Sequence, residues 1–127
     1  MTRLHVVAAA IFTDQRVLAA RRGAAMREAL KWEFPGGKVE PGESAEAALA
    51  RELREELDVQ VLVGERLGVS LTSSIELELY ACRLHAGTPE PREHAELRWL
   101  TSGDLALLDW APADIPLLEV VAAALQR

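Results

Sequence analysis

Residues 36–59 read GGKVEPGESAEAALARELREELDV, and three glutamates in this stretch, Glu52, Glu55 and Glu56, constrain the chain more than any other feature. Pro35-Gly36-Gly37 and Pro41-Gly42 break the chain upstream. Ser44 is a good N-cap, and strong helix formers follow it through Leu57. Ala45, Leu49, Leu53 and Leu57 form an apolar stripe. Glu52, Glu55 and Glu56 then fall together on one side of the same helix. Like charges at this spacing weaken a helix by roughly 0.2–0.5 kcal/mol per pair. A solvated acidic face balanced by Arg51 and Arg54 is one explanation. The other is a cation among the carboxylates, and hard oxygen ligands select Mg²⁺, with Mn²⁺ as a substitute.

The flanking pattern suggests strands on both sides of this helix. Residues 4–12 are aliphatic and read as a buried strand, 13–15 as a turn, and 16–21 as the return strand. Residues 23–31 read as a loop or short irregular helix. Val59, Val61 and Val63 alternate as a strand. Ile75, Leu77 and Leu79 alternate with Glu76 and Glu78, which predicts a half-exposed strand. Residues 96–100 form a further short strand. Ser102 is expected to cap a short helix, and Asp114 the last one. No repeat or linker interrupts residues 1–127, so one domain is expected, an α/β (α+β) chain with a mixed sheet between helices.

The net charge of -6 argues against binding to nucleic acid polymers or anionic membranes. An acidic protein acting on an anion also needs a cation between them. The single cysteine, Cys82, excludes an internal disulfide and reads as a small core residue. The apolar run at 4–12 is too short to span a bilayer. The expectation is a cytoplasmic protein, with monomer and homodimer both open.

The stretch from Gly37 to Val59 resembles the Nudix box, G-x5-E-x7-R-E-U-x-E-E-x-G-U, where U is a bulky aliphatic residue. Gly37 and Glu43 fill the first two positions, Arg51-Glu52-Leu53 the next three, Glu55-Glu56 the acidic pair, and Val59 the last aliphatic. One position departs: Asp58 stands where the family has glycine. That residue follows the helix and is expected in a left-handed conformation, which Asp tolerates better than most. The segments KWEFPGG at 31–37 and APADIP at 111–116 are similar to the MutT-like branch, and the latter to bacterial CTP pyrophosphohydrolases. Arg92-Glu93-His94 is similar to that group too.

The resemblance implies an α/β/α sandwich and a metal site made by Glu52, Glu55, Glu56 and the Gly36 carbonyl. It implies cleavage of a nucleoside triphosphate within its phosphate chain by a cation-activated water, with no covalent protein nucleophile. Arg51 and Glu43 would orient the glutamates. Glu52 and Glu93 are candidate bases, and His94 reads as a surface histidine. Arg22, Glu33, Phe34, Pro35 and Gly36 are candidates for the nucleotide site, with Phe34 either stacking on the base or packing in the core. Asp114 is a candidate for base recognition as well as an N-cap. An ionised carboxylate only accepts hydrogen bonds, which suits the cytosine amino group and tilts the expectation toward CTP or dCTP. The alternatives are 8-oxo-dGTP hydrolysis and, in another class, a non-catalytic nucleotide-binding module.

Overall fold

A computed structural model describes residues 2–127. Among these, seven strands form a mixed sheet in which β3, β2, β1, β6 and β5 lie side by side, with β4 on β1 and β7 on β2. β1 (Leu4–Thr13) and β2 (Arg16–Arg21) form the expected hairpin. Asp14 and Gln15 turn it with φ of 51° and 62°, as a tight hairpin with matching twist requires. β1 runs parallel to β6 (Ile75–Ala86), which pairs antiparallel with β5 (Gln60–Leu71). β7 (Glu96–Leu100) pairs with β2 as a further strand. Two short strands, β3 (Trp32–Glu33) and β4 (Gly36–Lys38), occupy the segment expected as a sharp break.

α1 (Ala45–Leu57) begins where Ser44 predicts it, and the Ser44 hydroxyl accepts from Ala47 N at 3.1 Å. It packs Ala48, Leu49, Leu53 and Leu57 against Val7, Ala9 and Ile11 of β1. Ala45 stays half-buried, so Ala48 completes the buried face. Each buried leucine contributes about 1.5–3 kcal/mol. The opposite sheet face, with Ala8 and Ala10 of β1, meets Leu105, Leu117, Val121 and Leu125. The last two lie on α2 (Leu118–Leu125). The sheet is therefore sandwiched, as expected, because β1 alternates small apolar residues between two cores.

Several local expectations change. Residues 23–31 form turns, the loop of the two alternatives expected there. β5 is longer than the valine alternation implied and carries register shifts on both sides of Arg66. Glu78 is buried rather than half-exposed: its carboxylate meets His5 and accepts from Arg66 at 2.9 Å, which holds it below the usual carboxylate range despite burial. Thr101, not Ser102, caps the helix at Ser102–Leu107, in a capping box with Asp104. Asp114 makes no cap bond. Cys82 lies in the core, and burial pushes its thiol up to about 12.

Candidate active site

The site is built where β4 passes α1. Adding a Cβ at Gly37 would place it 2.5 and 2.7 Å from the two Glu52 carboxylate oxygens. The glycine thus gives Glu52 room against the strand. Gly36 is equally confined by the Val7 and Ala8 backbone of β1.

Arg51 orders the acidic face. Its Nε and Nη2 donate to the two Glu43 oxygens at 2.8 and 2.9 Å, a fork that suits guanidinium geometry. Its Nη1 donates to Glu52 at 3.0 Å and to Glu55 at 3.4 Å, and Nη2 also reaches the Lys38 carbonyl. These bonds lower Glu43 to about 2 and raise Arg51 well above its ordinary value. Burial raises Glu52 above the usual range, partly offset by Arg51, with Glu55 and Glu93 adding repulsion.

Glu56 is the anomalous residue. It is 7 % exposed, and its Oε1 has no hydrogen-bond partner. Desolvation, then repulsion from Glu33, Glu52 and Glu93, pushes it up to about 9, against a hydrogen bond from the Gly36 backbone. A buried carboxyl with one oxygen unpartnered among other carboxylates costs stability unless a cation compensates it. The donor set is all oxygen, as a hard divalent cation requires. Among the described residues no three acidic, histidine or cysteine side chains already close into a metal cage.

Glu33 connects this acidic face to the other candidate residues. Its Oε1 accepts from Arg22 Nη1 at 2.5 Å, and its Oε2 pairs with His94 Nε2 at 2.8 Å. Arg22 also donates to the Arg27 carbonyl. The His94 side chain is wholly buried, which corrects its reading as a surface histidine. Nothing in the local pattern could have found the pair, since 61 residues separate the partners.

Phe34 is 2 % exposed and packs on Trp110 with ring centroids 4.9 Å apart, so its ring has the core role rather than the stacking one. Pro35 is also buried. Asp114, 5 % exposed, accepts from Phe34 N at 3.0 Å. Burial raises this carboxyl to about 8, opposed by the Phe34 hydrogen bond. Its side chain thus joins the final segment to the residues after β3, where a helix cap was expected. Among the described residues, no helix is long and apolar enough to cross a membrane.

The NUDIX domain matches residues 1–121. The CTP pyrophosphohydrolase of Escherichia coli is 42% identical over 130 residues, 97% of this chain and 94% of that protein. The "Putative 8-oxo-dGTP diphosphatase 2" of Mycobacterium tuberculosis is 45% identical over 114 residues, 86% of this chain and 81% of that protein. The solution structure of the Escherichia coli ORF135 protein aligns with a TM-score of 0.80 at 42% identity, covering 97% of this chain and 91% of the other. Proteins of this kind generally use a divalent cation. An ordered acidic face, a donor set suited to such a cation and a domain match across nearly the whole length lead to one conclusion: the chain belongs to the Nudix family and is a Nudix pyrophosphohydrolase.

Proposed function

We propose that the protein uses Mg²⁺ to hydrolyse a nucleoside triphosphate to the monophosphate and pyrophosphate, with CTP, dCTP and modified cytosine nucleotides as preferred substrates. The observation that carries this reading is the buried Glu56 carboxyl, its Oε1 unpartnered, among Glu52, Glu93 and Glu33. Such a cluster repels a polyphosphate until a cation neutralises it.

Glu52, Glu55, Glu56 and the Gly36 carbonyl would hold the metal. When bound, it would neutralise phosphate charge and lower the pKa of a water toward neutrality. Glu93 would take the proton of the attacking water as the α–β anhydride breaks, a role supported by its charge acting on Glu52 and Glu56. Arg51 and Glu43 keep Glu52 in place. At the nucleotide end, Arg22 and Glu33 form the polar wall, the main chain at Phe34 and Pro35 the floor, and Asp114 the base-reading group. The cytosine preference rests on likeness to the Escherichia coli CTP pyrophosphohydrolase across nearly the whole of both chains.

One observation favours a second reading, 8-oxo-dGTP. A preference for cytosine requires Asp114 as an ionised acceptor. Burial instead raises this carboxyl to about 8, which favours its neutral form. Oδ1 is engaged by Phe34 N, and a neutral acid can donate as well as accept. It can therefore meet a guanine carbonyl as readily as a cytosine amino group. The 45% identical mycobacterial relative carries that substrate in its name.

Pyrophosphate release with Mg²⁺ across CTP, dCTP, 8-oxo-dGTP, dGTP and ADP-ribose, each with an EDTA control, tests both readings. Rapid EDTA-sensitive release confined to cytosine nucleotides is expected. A preference for 8-oxo-dGTP would replace the substrate and keep the chemistry. No release from any triphosphate would overturn the proposal.

Asp114→Asn should shift the ratio of kcat/KM between CTP and 8-oxo-dGTP by roughly tenfold or more. An unchanged ratio would remove Asp114 from base recognition. The same variant has a pH signature. A carboxyl raised from 3.8 to about 8 contributes its stability in full below pH 3.8 and loses it as pH rises to about 8. Asparagine can still accept from Phe34 N but carries no charge. The variant should therefore melt above the parent at pH 8, with the difference closing toward pH 4. A constant difference across that range would contradict the assignment.

A further inference from the structure

The loop between β6 and β7 carries Glu93 and is tied down on both sides of it. On one side, Glu90 N donates to the Leu57 carbonyl at 3.0 Å, and Arg92 N to the Glu56 carbonyl at 3.3 Å. Those carbonyls belong to the last turn of α1, where helix geometry leaves them without internal partners. Arg92 Nη2 also lies 3.1 Å from Asp58 Oδ2. On the other side, the buried His94 ring meets Glu33 of β3, and Ala95 N donates to the Arg21 carbonyl at 2.8 Å. Glu93 itself is exposed.

Asp58 is the residue that departs from the Nudix box. It adopts φ 57° and ψ 43°, the left-handed conformation that glycine takes without strain, and its N–H caps α1 on the Arg54 carbonyl. A glycine there would cap equally well but could not reach Arg92. In this chain the position therefore adds a side-chain link between the end of the box and the loop.

We propose that Arg92 and His94 are positioning residues: the Asp58–Arg92 ion pair and the buried His94–Glu33 pair clamp the loop on either side of Glu93 and set its carboxylate beside the box glutamates. The clamp rests on the reading of Glu93 as the group that takes the proton from the attacking water. It predicts a loss of kcat, because it acts through a residue of the chemical step; a rise in KM on its own would report only Glu33, which the nucleotide end shares with the clamp.

The test is a double-mutant cycle at saturating Mg²⁺ with the triphosphate the enzyme turns over fastest. Glu93→Gln should lower kcat by about 10²-fold or more. His94→Phe should lower kcat about tenfold or more, beyond any rise in KM that follows from the freed Glu33. In the Glu93→Gln background, His94→Phe should change kcat by less than about twofold, because the group it positions is already gone. His94→Gln, which keeps an N–H donor for Glu33, should recover part of the rate. Additive losses, or a loss confined to KM, would overturn the clamp while leaving the Glu93 reading intact. A Glu93→Gln enzyme with parental kcat would sink both.

Asp58→Gly covers the case in which His94→Phe fails to fold. Restoring glycine relieves the left-handed backbone, so the variant should melt no lower than the parent. It should still lose kcat by up to about fivefold, the range of an exposed ion pair. A parental rate in this variant would remove the Asp58 arm.

Discussion

Glu56→Gln is expected to lose turnover by about 10²- to 10⁴-fold while folding as well as its parent. Glutamine nearly matches glutamate in shape, so the contacts of α1 with β1 remain. It removes a carboxyl whose Oε1 finds no protein partner and which three other carboxylates repel. In metal-free buffer the variant should therefore melt no lower than the parent. The catalytic loss follows because charge stabilisation by a bound cation supplies several kcal/mol, and each factor of ten in rate requires about 1.4 kcal/mol. Two measurements decide the matter: the initial rate of pyrophosphate release at saturating triphosphate, and the melting temperature with and without Mg²⁺ plus nucleotide. Ligand binding should stabilise the parent and much less the variant. A variant within tenfold of the parental rate would mean that the buried carboxyl is a structural oddity, and the metal site would have to be sought elsewhere.

The parts of this site that could be read from the sequence share one property: their partners are near in the chain. The Ser44 cap, the leucine stripe of α1, the grouping of the glutamates and the left-handed Asp58 all follow from spacings of a few residues, and the structure reproduces each. The Nudix box is itself such a local pattern, which is why the family and the sandwich were legible from it. Other features depend on strand register. His94 reads as an exposed loop histidine until β2 carries β3 and β7 on opposite edges and brings Glu33 to it. Glu78 reads as an outward residue of an alternating strand. It becomes buried because His5 on the adjacent parallel β1 and Arg66 on antiparallel β5 both reach its carboxylate. Asp114 shows the same limit. Asp before Ile-Pro is a sound capping signal, yet the side chain serves Phe34, 80 residues away. In these cases local propensity is correct about residue type and silent about the partner.

The neighbouring glycines Gly36 and Gly37 supply the second large effect, and they should fail in different ways. Neither has a positive φ, so alanine is acceptable to the backbone at both positions. What differs is the neighbour a methyl group would strike. At Gly36 the obstacle is the main chain of β1, including the Ala8 Cα at 2.7 Å and the Val7 carbonyl, which cannot move without breaking the strand pairing. Gly36→Ala should lower stability by about 1–3 kcal/mol or more, the cost of overpacking a core. At Gly37 the obstacle is the end of the Glu52 side chain, which can swing away. Gly37→Ala should therefore cost little stability, within about 1 kcal/mol. It should displace the carboxylate that Arg51 holds at 3.0 Å, and a misplacement of about 1 Å at a reacting centre costs roughly 10²-fold in rate. Thermal melts and kcat measured side by side on the two variants separate these outcomes. If Gly37→Ala turns over at the parental rate, the fit of Glu52 against β4 is not what the enzyme uses. If it unfolds as readily as Gly36→Ala, the glycine pair serves strand packing alone. A stable protein with a collapsed rate would tie the first position of the box to the placement of one carboxylate.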